Sequence, residues 1–113
     1  VSILAGENTY SHLEDMLAAR EADIIRVVGK QIPVRIFQII GEKEKVTPLQ
    51  MEKIGIFHQG LEAYREQDWD RAMALFGGLT EDPLAAIYID RCRNFKLNPP
   101  PKQWDTIYGL KIK

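Results

Sequence analysis

The side chains that could attack, coordinate or shuttle protons in this sequence are Cys92, His12, His58 and a scatter of carboxylates. A cysteine nucleophile needs a neighbouring base to form its thiolate, and Cys92 with His58 is the pairing the sequence leaves open. Nothing close to either residue supports it. The two histidines lie far apart in sequence, with no cysteine or carboxylate at metal-ligand spacing. They read as surface or boundary residues. Cys92 falls on the apolar stripe of a helix, where a thiol behaves as a small hydrophobe. Gly77-Gly78 lacks the strand–loop–helix context of a phosphate cradle and reads as a helix stop with a left-handed glycine. Trp69 and Trp104 read as packing anchors. The local chemistry points to packing rather than catalysis.

The elements that position these residues are clearest between Gln59 and Phe76. Ile54, Phe57, Leu61 and Tyr64 step by three or four and share one helical face. Trp69, Ala72, Met73 and Phe76 repeat the pattern on a second helix. The polar stretch Arg65-Glu66-Gln67-Asp68 separates them and ends in a good N-cap. Gly60 and Ala72 are small residues in bulky stripes, where two helices can approach closely. The stretch spells a helical hairpin.

The hairpin resembles a single tetratricopeptide repeat. Gly60 falls at the small position of its first helix, Ala72 at the alanine of its second, and Phe76 at the aromatic four residues later. Ala63 stands where that family usually has tyrosine, and Pro83 arrives a residue early. A lone repeat cannot bury both its faces, so the resemblance implies stacking on another element.

Composition sets bounds on function. A chain of 113 residues is enough for a single modest core. With 15 Lys plus Arg against 16 Asp plus Glu, the net charge is −1 and no basic field argues for nucleic acid or an anionic membrane surface. The one cysteine excludes an internal disulfide and fits a reducing, cytoplasmic setting. The apolar runs are too short to span a bilayer. No signal peptide is legible, and the opening at Val1 inside an apolar run suggests a piece of a longer polypeptide.

In chain order, residues 1–5 predict a strand closed by Gly6, and Asn8 or Thr9 caps a helix expected to reach Ala18. Arg20-Glu21-Ala22 reads as a connection. Residues 23–28 and 33–40 predict a β-hairpin whose second strand is apolar on both faces. Residues 42–47 form a linker of changed composition. Thr47-Pro48-Leu49-Gln50 then opens the hairpin's first helix with a capping box and a first-turn proline. Asp82-Pro83 starts a third helix with Leu84, Tyr88, Cys92 and Phe95 as its buried stripe, and Pro99-Pro100-Pro101 ends it. The tail from Trp104 is expected to be extended, with Trp104, Ile107 and Leu110 available to dock on the helices. The expected class is α+β, divided into 1–41, a 42–47 linker and a helical part at 48–113.

Residues 1–41 resemble the C-terminal end of a class III adenylate/guanylate cyclase catalytic domain. The resemblance rests on Ile3-Leu4, Thr9-Tyr10 and the run from Ile25 through Gly29-Lys30 and Pro33-Val34 to Ile39. Residues 48–113 resemble the tetratricopeptide-like extension that follows this domain in some bacterial adenylate cyclases. Gly60-Leu61, Tyr64, Asp68-Trp69, Ala72, Phe76, Arg91-Cys92, Pro99-Pro100-Pro101 and Trp104-Asp105 carry that part. The resemblance implies a parent that converts ATP to cyclic AMP and pyrophosphate with magnesium or manganese, as a dimer. It also implies that the metal-binding aspartates and transition-state residues lie upstream of the region present here. One nucleotide-binding candidate remains, Lys30, although the family's lysine position aligns with Val28. This chain alone is thus expected to be inactive, to self-associate through residues 23–40, and to present Gly60, Tyr64, Trp69, Ala72, Phe76 and Trp104 for packing or interaction. The competing reading is a freestanding tetratricopeptide-like adaptor that binds a peptide or helix.

Overall fold

The computed structural model describes residues 3–26 and 33–108. They form an α+β chain with the order β1 (Ile3–Gly6), α1 (Glu7–Ser11), β2 (Leu17–Arg26), β3 (Pro33–Glu42), α2 (Pro48–Arg65), α3 (Trp69–Gly77) and α4 (Pro83–Leu97). The chain divides into a sheet unit, residues 1–46 with 104–113, and a helical unit, residues 47–103.

In the sheet unit the strand order is β1-β3-β2 and both pairings are antiparallel. β3 is the central strand and not one half of an isolated hairpin, so both of its edges are paired, while its residues are half-buried or exposed and none is fully buried. On one face Tyr10 of α1 stacks on Phe37, with ring centroids 4.6 Å apart. On the other, Gln38 faces Arg20 across the ladder and accepts a hydrogen bond from its Nε at 2.6 Å.

The expected helix to Ala18 is corrected. It stops at Ser11, and a turn closed by Met16 N–H to Leu13 O and Leu17 N–H to Leu13 O leads straight into β2. Leu17-Ala18-Ala19-Arg20-Glu21-Ala22 is rich in good helix formers, yet it lies in a strand. Pairing with β3 and burial of Ala18, Arg20 and Ala22 on one face outweigh a propensity of only a few tenths of a kcal/mol per residue. The supposed connection Arg20-Glu21-Ala22 is therefore mid-strand, with register shifts between Ala18 and Ala19 and between Glu21 and Asp23. Strand β3 also takes in Glu42, the first residue of the expected 42–47 linker.

The helical unit follows the sequence closely. Thr47 and Gln50 form the reciprocal capping box, with bonds of 3.1 and 2.9 Å. Asp68 accepts from Arg71 N–H, and Asp82 accepts from Leu84 and Ala85 N–H. The end of α3 differs from expectation. Gly78 is right-handed at φ −74°, and Leu79 N–H bonds to Phe76 O as the last turn tightens. Leu79 is drawn into the core, so the chain has no need of a left-handed glycine there.

The core of this unit is aromatic. Phe57 of α2 meets Phe76 of α3 edge-on at 5.3 Å and Tyr88 of α4 at 5.7 Å, while Phe76 and Tyr88 stack at 5.2 Å. Gly60 is what lets this cluster close. A Cβ on it would lie 2.7 Å from the Phe76 ring, which is fully buried and has nowhere to move. Gly60→Ala should therefore destabilise the protein despite a gain of about 1 kcal/mol in helix propensity. Ala72→Trp, at a position with no exposure, should cost about 1–3 kcal/mol or more through overpacking. Urea denaturation checks both, and unchanged midpoints would mean that α2 and α3 do not meet at these residues.

Candidate functional site

The residues singled out from sequence separate into distinct places. Gly60, Tyr64, Ala72 and Phe76 are all buried in the helical unit, where Tyr64 packs edge-on against Tyr88 at 4.9 Å. Trp69 is half-buried and stacks on Phe95 at 4.9 Å. These five shape a core and leave little surface for direct contact with a partner. The sixth, Trp104, groups with the sheet unit and not with the helices. Val28 and Lys30 lie outside the described residues.

Cys92 is fully buried on α4, in the stripe with Ala85 and Tyr88. Burial raises its thiol pKa from 9.0 to about 11. That is the environment of an inert thiol, since a nucleophile needs its thiolate favoured. His12 sits on the other unit, with Nδ1 2.7 Å from Asn8 O. Tyr10, on α1, has its pKa raised by burial and, secondarily, by the Glu14 carboxylate. Among the described residues no three His, Cys, Asp or Glu side chains are placed to hold a metal ion.

What the helical unit offers is surface. A shallow groove runs past Leu79, Thr80, Asp82, Pro83, Ala86 and Ile89, at the connection from α3 to α4. Leu49 and Met51 on α2 and Ile87 and Leu97 on α4 are exposed apolar side chains. The Arg91 guanidinium lies over the Tyr88 ring at 4.7 Å.

Sequence reasoning missed two polar clasps. Gln67, in the turn between α2 and α3 at φ 64°, donates from Nε2 to Pro101 O at 3.0 Å. Asp105 accepts from Arg26 Nη2 at 2.6 Å through Oδ2 and from Ile107 N–H at 3.0 Å through Oδ1. The second bond is an Asx-turn, which an aspartate two residues ahead of a tail hydrophobe signals. The first joins residues far apart in the chain and has no local signature.

Comparison with known proteins gives one partial relationship. The chain is 31% identical over 83 residues, 69% of its length, to "Adenylate cyclase, terminal-differentiation specific" of Dictyostelium discoideum. It spans 4% of that protein's length. No family model matches the chain. No solved structure matches it either. The finding supports a distant relationship to an adenylate cyclase. No helix among the described residues is long and apolar enough to cross a membrane.

The Cys92 environment makes a prediction about pH. The folded thiol holds its proton up to about pH 11 and the unfolded thiol only to about 9.0, so its share of stability is complete below pH 9 and lost as pH rises through 11. Denaturation midpoints of wild type and Cys92→Ala, taken from pH 7 to 11, should converge at the alkaline end. Parallel curves would show that the thiol is not held in its neutral form.

Proposed function

We propose that this chain is a C-terminal segment of an adenylate cyclase of the class III type known from bacteria. The observation that carries the reading is the 83-residue similarity to the Dictyostelium adenylate cyclase. In this reading the sheet unit belongs to the end of the catalytic domain. The helical unit is a tetratricopeptide-like extension with a regulatory or interaction role. The parent enzyme converts ATP to cyclic AMP and pyrophosphate in the cytoplasm, with magnesium or manganese held by residues upstream. Lys30, which lies in the sequence between β2 and β3, contacts the nucleotide's triphosphate.

Self-association through residues 23–40 belongs to the same proposal. With β3 central, the strand of that segment left at the edge of the three-stranded sheet is β2, and Ile25 on it is 40% exposed. Light scattering over a concentration series should show a mass that rises for wild type and stays monomeric for Ile25→Lys. A strictly monomeric wild type at high concentration would remove self-association from the reading.

The cyclase assignment is tested by exchange. This chain, substituted for the matching segment of the Dictyostelium enzyme, should retain cyclic AMP production, and a shuffled chain of the same composition should not. Loss of activity with both would overturn the assignment. The isolated chain should make no cyclic nucleotide with either metal, and production above a buffer blank would overturn the placement of the catalytic groups upstream.

A further inference from the structure

One end of the helical unit gathers residues that its core does not account for. Gln67, in the α2–α3 turn, donates from Nε2 to the Pro101 carbonyl at 3.0 Å. Two residues on, Trp69 lies on the Phe95 ring of α4, with centroids 4.9 Å and planes 23° apart. Tyr64, fully buried, meets the two rings at 5.6 and 6.1 Å and backs the stack from inside. Trp69 and Phe95 are half-buried, so each keeps a small apolar surface in solvent. Helix α4 ends at Leu97, and Pro99 follows only four residues after Phe95. All of these residues belong to the helical unit.

The backbone at Gln67 is an unusual one for its residue type. Its φ of 64° is left-handed, which suits glycine or asparagine and costs a longer side chain conformational energy. What glutamine supplies there, and glycine would not, is the amide that meets the proline carbonyl. Strain retained at one residue is a mark of a binding position.

A proline run narrows what can hold it. Its rings fix φ near −65° and favour the polyproline II helix, with three residues per turn and no N–H to donate. Such a strand is gripped through its carbonyls by side-chain donors and through its ring faces by aromatic surfaces. Both kinds of group are present at this end. The exposure of the run has the matching period, since Pro99 and Pro101 are exposed while Pro100 between them is half-buried.

We propose that Gln67, Trp69 and Phe95 form a recognition site for proline-rich peptides in the polyproline II conformation, and that the chain's own Pro99-Pro100-Pro101 occupies it in cis. The partner is a proline-rich segment of another polypeptide, which binds by displacing the tethered run. The tether gives the resident run a high effective concentration, so an incoming peptide binds weakly until that run is loosened. The site rests on the helical unit alone and is independent of the cyclase relationship.

The test uses the full chain and a synthetic peptide, Asn-Pro-Pro-Pro-Lys-Gln, with Asn-Gly-Gly-Gly-Lys-Gln as its control. Binding is read from the Trp69 indole N–H signal in NMR titrations. The double variant Pro100→Gly/Pro101→Gly makes the resident run flexible, and it should bind the proline peptide about 3- to 10-fold more tightly than wild type does. Adding Gln67→Gly removes the donor and relieves the left-handed strain, so it should weaken the peptide by about 3- to 10-fold without lowering the urea midpoint. A glycine peptide that shifts Trp69 as strongly, or an affinity untouched by Gln67→Gly, would overturn the proposal. If the double variant fails to fold, wild type decides alone. A saturable Trp69 shift with the proline peptide only would then support the site, and the lack of one at millimolar peptide would sink it.

Discussion

The helical unit depends on one close approach, that of the Phe76 ring to the bare Cα of Gly60. Because Gly60 carries no side chain, the Phe76 ring of α3 can press against the α2 backbone, and Tyr88 stacks on that ring. Phe57 and Tyr64 close the cluster from α2, so four aromatic rings from three helices become fully or almost fully buried. Burying each such ring is worth on the order of 1.5–3 kcal/mol, and their edge-on contacts add a further fraction. Glycine inside a helix costs about 1 kcal/mol against alanine, so the local penalty is smaller than what the approach permits.

The helices were legible because their signals are local. Thr47-Pro48-Leu49-Gln50, Asp68 and Asp82-Pro83 each state a helix start within four residues, and the structure uses each as a cap. The stripe through Ile54, Phe57, Leu61 and Tyr64 is equally local. Strand β2 was not legible, since Leu17 to Ala22 carries a helix former's composition and becomes a strand only by pairing with β3, which comes later in the chain. β1 was read correctly as a strand, but its place beside β3 follows from topology that no short window contains. The tail failed for a related reason. Its docking on the sheet unit hangs on Asp105 and Arg26, whose separation in sequence hides their partnership.

The candidate site was legible in a different sense. Gly60, Tyr64, Ala72 and Phe76 were singled out for spacing, and spacing reports burial faithfully, so they are found together in a core. Burial also removes them from direct contact with a partner. The exposed residues Leu49, Met51, Ile87 and Leu97 escaped notice because an apolar residue outside the stripe looks like noise in a periodic pattern.

Arg20 has a further consequence for how this sheet tolerates change. The residue is 8% exposed and its side chain bonds directly to Gln38, its cross-strand partner, while the two register irregularities of β2 fall on either side of it. A long polar side chain in that position fixes which residue of β2 stands opposite Gln38, because sliding the strand by one residue would carry the guanidinium to the opposite face. The flanking irregularities put one extra residue on each strand, Ile40 on β3 and Ala22 on β2, and the pairing continues past both. The strand thus behaves like a thread pinned at one bead. Lengths on either side can drift by an insertion or deletion, while the pinned pair keeps the two strands in step.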